Sequence, residues 1–89
     1  MSIRQQALTL IRFYLANHCP VPELRSIADN DLFFLFLDSR LDFIIDNCFY
    51  IEAGAISQFN WMDIEYEVYY TYRQFQQALA LDDFEFQTI

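Results

Sequence analysis

The side chains of this sequence that could do covalent or metal chemistry are few and poorly spaced for it. His18 is the single histidine, and it sits beside Cys19 in the proline-bounded run His18-Cys19-Pro20-Val21-Pro22. A Cys–His nucleophile pair needs its two side chains facing each other and a third group to orient the base; adjacent residues seldom achieve this. His18, Cys19 and Cys48 fall short of a zinc site, which takes four ligands at recognisable intervals. A phosphate-cradling loop needs several glycines, and Gly54 is the only one. Carboxylates are plentiful, and Asp38, Asp42 and Asp46 recur at i, i+4 and i+8. On a helix such a row reads as a solvated edge sooner than as an acid–base pair, at a cost of about 0.2–0.5 kcal/mol per like-charged step. A partner's cation or arginine would relieve that repulsion. No catalytic set, metal site or resident cofactor is expected, and the protein is read as a non-enzyme.

What the sequence has in excess is aromatic surface and negative charge. Of 89 residues, 55% are apolar and 19% aromatic, with ten Phe, six Tyr and one Trp. A single domain spanning 1–89 buries only about 60–65% of the surface its unfolded chain exposes, so aromatic surface should remain outside. Exposed apolar patches mark interfaces, where Tyr, Trp, Phe and Arg are enriched. Residues 1–27 carry Arg4, Arg12 and Arg25 against Glu23, whereas residues 28–89 carry twelve carboxylates against Arg40 and Arg73; the two halves, +2 and −10, sum to the net −8. A field of that sign repels nucleic acid and anionic membrane and speeds encounter with basic proteins. The two cysteines make no disulfide framework. Arg4 and Arg12 interrupt the apolar N-terminal run, and Leu32–Leu37 is far too short to span a bilayer, so a cytoplasmic protein is expected.

The element that must hold any functional surface is the stretch from Asp31 to Ile51, the most apolar in the chain. Ile3–Asn17 has the amphipathic spacing of a helix, with Ser2 as its cap, and Pro20 and Pro22 end it. A short helix over 23–28 follows. The run Leu32-Phe33-Phe34-Leu35-Phe36-Leu37 has no period that separates strand from buried helix. Ser39 and Asp42 match a capping box, which starts a helix running to about Glu52, with Gly54 as its stop. From Asn60 to Leu81 there is no Gly or Pro. Ile64, Val68, Tyr72, Phe75 and Leu79 form one helical stripe, and Asn60 and Asp63 suit its start. The same region alternates at period two through Ile64, Tyr66, Val68, Tyr70 and Tyr72. The fold expected is mostly α, a small domain of three or four helices; an α+β variant with a strand at 62–72 and another in the C-terminal tail is the alternative.

Leu37-Asp38-Ser39-Arg40-Leu41-Asp42-Phe43, followed by Phe49-Tyr50-Ile51-Glu52, resembles the acyl carrier proteins, in which a D-S-L-D type motif opens the second of four helices. The resemblance implies a phosphopantetheine arm on Ser39 holding acyl groups as thioesters. The chain departs from that pattern in the inserted Arg40, in having no glycine before Asp38 and in its aromatic content.

The residues expected to meet a partner are Asp38, Asp42, Asp46, Trp61, Asp63, Tyr66, Glu67, Tyr69 and Tyr70. Rings supply buried area, and neighbouring acids steer a basic partner. The reading is a small acidic protein-binding module of inhibitor, immunity or anti-host-defence type that masks a basic surface of a target protein. A divergent carrier-like domain using Ser39 is the alternative. A secretion chaperone or a structural subunit of an oligomer, for example a homodimer, is the second.

Overall fold

Ser2 opens the first helix, α1 (Ile3–Asn17), with a reciprocal cap: its hydroxyl accepts the Gln5 N–H, and the Gln5 side chain accepts the Ser2 N–H. Two donors that the first helical turn would leave orphaned are satisfied. A computed structural model describes residues 1–81 of the chain; the C-terminal tail, where the alternative reading placed a strand, lies outside them. Helix α1 buries Ala7, Ile11, Tyr14 and Leu15 along one stripe and ends before the Pro20–Pro22 run. A single turn, α2 (Pro22–Ser26), starts on its proline, where the missing N–H costs nothing.

The apolar run resolves as helix. α3 (Asp31–Leu37) is capped by Asn30, whose Oδ1 accepts the Phe33 N–H at 3.0 Å. Phe33, Phe34 and Leu37 face the core, and Leu35 points out. A 3-10 turn over Asp38–Arg40 carries the chain almost without a break into α4 (Leu41–Cys48), which buries Leu41, Ile44, Ile45 and Cys48.

Two expectations for this region are corrected. Ser39 does not cap a helix: α4 follows Arg40 with no side-chain cap, and the Leu41 N–H bonds to the Asp38 carbonyl. Instead its Oγ donates to the Phe36 carbonyl at 2.8 Å. Nor does the helix reach Glu52. It stops at Cys48, and the chain turns into a hairpin of β1 (Phe49–Glu52) and β2 (Ala55–Phe59), paired antiparallel with a bulge at Tyr50/Ile51. Gly54 is thus the second residue of a two-residue turn rather than a helix stop. Both turn residues have positive φ, 55° at Ala53 and 78° at Gly54, as a type I′ hairpin turn requires. Alanine is strained there and asparagine is not. Ala53→Asn is therefore expected to raise unfolding free energy by about 0.5–1 kcal/mol, or the thermal midpoint by roughly 2–8 °C. A calorimetric scan showing no rise would mean the turn is not of this type.

The last helix, α5 (Trp61–Ala80), settles the choice between periods. Asn60 Oδ1 accepts the N–H groups of Met62 and Asp63. Ile64, Val68, Thr71 and Phe75 are buried, whereas Tyr66 and Tyr70 are exposed. A strand would put 64, 66, 68 and 70 on one face, so the expected helix is found and the alternative strand at 62–72 is not. The inner stripe also shifts: Thr71 is fully buried, its hydroxyl donating to the Glu67 carbonyl at 2.8 Å, and Leu79 is exposed. The described chain is therefore mostly helical, with four helices of seven residues or more, one single-turn helix and a two-stranded sheet. No helix among the described residues is long and apolar enough to cross a membrane.

Candidate functional surface

Helix α5 is fastened to the rest of the molecule at its first turns. Trp61 stacks on Tyr14 at 4.3 Å between ring centroids and takes Phe59 against its edge at 4.2 Å. Tyr14 donates its hydroxyl to Glu65 Oε2 at 2.6 Å. Burial, with Glu65 beside it, pushes the Tyr14 phenol well above its ordinary value. Trp61 is therefore half-buried packing between α1, β2 and α5, not an outward anchor.

The face of α5 opposite the core carries the large apolar side chains. Met62 is 82% exposed, Tyr66 71%, Tyr70 45%, and Tyr69 lies at the edge of exposure. Asp63 is exposed on the same side and has no cationic partner among the described residues. Across from it, α4 contributes Asn47 and Phe43, the latter half-exposed. Between the two helices lies a cleft of about 240 Å³ walled by Asn47, Asp63, Tyr66 and Glu67, with Cys48 at its floor. Cys48 is driven up to about 11, first by burial and then by the negative charges of Asp63 and Glu67. The carboxylates thus act on the floor of the cleft.

Beside the cleft, Arg40 lies over two rings, 5.0 Å from the Phe43 centroid and 4.8 Å from that of Tyr70. Its guanidinium donates to Glu67 Oε1 at 2.9 Å. Its Nε is buried without an acceptor among the described residues. Arg40 thereby orders Tyr70 and Phe43 into one aromatic ledge, since a cation over a ring face is worth about 0.5–1 kcal/mol.

The acidic row from the sequence divides. Arg4 reaches from α1 to Asp42 and, at 2.6 Å, to Asp38. The hydrogen bond with Asp38, more than any other contact, raises the Arg4 value. Arg12 pairs with Asp31 at 3.0 Å and covers the Phe34 ring at 4.0 Å. The basic N-terminal helix therefore neutralises part of the acidic half, and Asp38 and Asp42 are spoken for within the chain. Asp46 and Asp63 are exposed and have no cationic partner among the described residues. Of the expected partner residues, the fold brings Asp63, Tyr66 and Glu67 to the cleft and Tyr69 and Tyr70 beside it. Arg40, Phe43, Asn47 and Met62 join them without having been singled out. Phe43 alone had a readable signal, being off the buried stripe Leu41, Ile44, Ile45 and Cys48.

Ser39 is exposed, on the 3-10 turn, with its hydroxyl engaged at Phe36 and helix on both sides. Among the described residues no cluster of three or more His, Cys, Asp or Glu is placed to hold a metal ion. No protein-family model, curated protein or solved structure matches this chain.

Proposed function

We propose that this chain is a small acidic protein-binding module, of the inhibitor, immunity or anti-defence kind, that covers a basic surface of a target protein through the outward face of α5. The carrying observation is the exposure of Met62, Tyr66, Tyr69 and Tyr70 together on one helix face, beside Asp63, a carboxylate with no cationic partner among the described residues. Large rings on a rigid element give contact area at low conformational cost, and unpaired acids of one sign raise the association rate with a basic partner. The tie from Trp61 and Glu65 to Tyr14 holds that face in place before any partner arrives.

The test is recovery of complexes from the protein's own host with a tagged chain, in wild-type form and as Tyr66→Ala/Tyr69→Ala. The wild type is expected to retain a basic protein one-to-one. Association should slow steeply from about 0.1 to about 1 M salt, as the Debye length shrinks from about 10 to about 3 Å. Each lost tyrosine of a hot spot costs about 2 kcal/mol, roughly 30-fold in affinity, so the double variant should release the partner. A partner of acidic character, bound equally by both forms at every salt concentration, would overturn the reading. Recovery of the chain solely as its own dimer would move it to an oligomer subunit.

A further inference from the structure

Tyr66 is the common wall of two different depressions. On one side is the cleft between α4 and α5 walled by Asn47, Asp63 and Glu67. On the other is an apolar groove formed with Met62, Glu65 and Tyr69. Their chemistry differs in kind. In the cleft, Asp63 has no cationic partner among the described residues, and Glu67 lends one oxygen to Arg40 and keeps the other, so one net negative charge faces an amide and a phenol ring. In the groove, Glu65 is turned to Tyr14, leaving methionine and two rings as the surface.

Resting on the protein-binding reading above, we infer that the occupant of this surface is an amphipathic basic helix of the partner, with one lysine or arginine in the cleft against Asp63 and an apolar side chain one helical turn away in the groove. The charge of the cleft selects the cation. The Tyr66 ring lies beside the aliphatic stem of that cation, and Met62 and Tyr69 receive the apolar neighbour. Residues three or four apart on a helix lie on one face with their Cβ atoms about 5–6 Å apart, so a single helix can present a cation and an apolar side chain to the two sides of Tyr66. A partner lacking the cation would leave Asp63 desolvated without a mate; one lacking the apolar residue would leave the groove in water. Both are needed, which makes the surface selective for a pattern rather than for charge alone.

The experiment is selection of a random peptide library, each member long enough for a few helical turns, on the intact wild-type chain. Enriched peptides are then measured by fluorescence anisotropy against Asp63→Asn, Tyr66→Ala and Glu52→Gln. Glu52 is exposed at the hairpin turn, outside both depressions, and its change alters net charge by the same amount as Asp63→Asn. The expected result is enrichment of a Lys or Arg three or four positions from a large apolar residue. Affinity should fall at least about tenfold, or about 1.4 kcal/mol, for Asp63→Asn and for Tyr66→Ala, and less than about twofold for Glu52→Gln. Equal losses for Asp63→Asn and Glu52→Gln would overturn the cleft and leave general steering of a basic partner standing. Enriched peptides without basic residues, or no enrichment, would overturn both. Far-ultraviolet circular dichroism of the variants, all changed at exposed positions, confirms that binding rather than folding is being read.

Discussion

Phe33→Ala is expected to cost about 3–5 kcal/mol of unfolding free energy, a large share of the roughly 5–15 kcal/mol that holds a domain together. Phe33 is fully buried, and its ring meets those of Phe34, Tyr72 and Phe75 edge-on at 5.4, 6.0 and 5.4 Å. Two of those contacts join α3 to α5, so the cavity left by truncation falls between the helix at the centre of the core and the one that carries the proposed binding face. Each edge-to-face pair adds about 0.5–1.5 kcal/mol beyond the area it buries. In urea titrations the midpoint should drop with an unchanged slope. Phe43→Ala is the comparison: that ring is half-exposed, and its main partner is the Arg40 guanidinium at 5.0 Å, so about 1 kcal/mol or less is expected. If the two substitutions cost the same, the packing of α3 on α5 is not what holds the fold.

Much of this architecture could be read from the sequence because local and tertiary signals agreed. Ser2 and Asn60 both sit where a side-chain oxygen is needed to cap a helix, and Ile64, Val68 and Phe75 fall on one stripe. The hairpin could not be read in the same way. Phe49-Tyr50-Ile51 continues the apolar character of α4, and nothing local marks Cys48 as the end of a helix. The turn itself is Ala53-Gly54 rather than the favoured Asn-Gly, so its strongest signal is missing. At Ser39 the capping-box spacing was present, but the chain runs from α3 through a 3-10 turn into α4, the Leu41 N–H is taken by the Asp38 carbonyl, and the Ser39 hydroxyl turns back to Phe36.

The charge distribution shows the same limit from the other side. The sum over each half of the chain was readable, but the pairing was not, because Arg4 meets Asp38 and Asp42 only once α1 lies across the start of α4. Pairing decides which carboxylates stay free to meet a partner. Asp63 is free because it stands on the far side of α5 from the N-terminal arginines. Glu67 is half free because Arg40, one of only two basic residues in the acidic half, was placed beneath it. The proposed surface is therefore a product of topology acting on composition. A substitution that removed Arg4 would add no charge to the cleft, whereas Arg40→Ala would release Glu67 and loosen Tyr70 together.

Raising the pH above the ordinary thiol range is expected to weaken the fold progressively. Cys48 is raised from 9.0 to about 11 by burial, with Asp63 and Glu67 adding to it. In the unfolded chain the thiol loses its proton near 9, while in the fold it keeps it to about 11. Over that interval the unfolded state binds fewer protons, so the unfolding free energy falls as pH rises. The stabilisation is fully present below pH 9 and lost as pH climbs through about 11; two units correspond to on the order of 2–3 kcal/mol. Tyr14 and Cys19, also raised chiefly by burial, act in the same direction. Urea midpoints taken across this interval should fall, and Cys48→Ala should flatten the slope; an equally steep fall in that variant would place the effect elsewhere. At neutral pH the thiol is protonated and buried, and iodoacetamide should modify it slowly. The titration also reports on the cleft, since a cation seated against Asp63 offsets one of the charges that hold the thiol value up. Binding of a basic peptide there should move the start of thiolate absorbance to lower pH, and a peptide bound anywhere else should leave it unchanged.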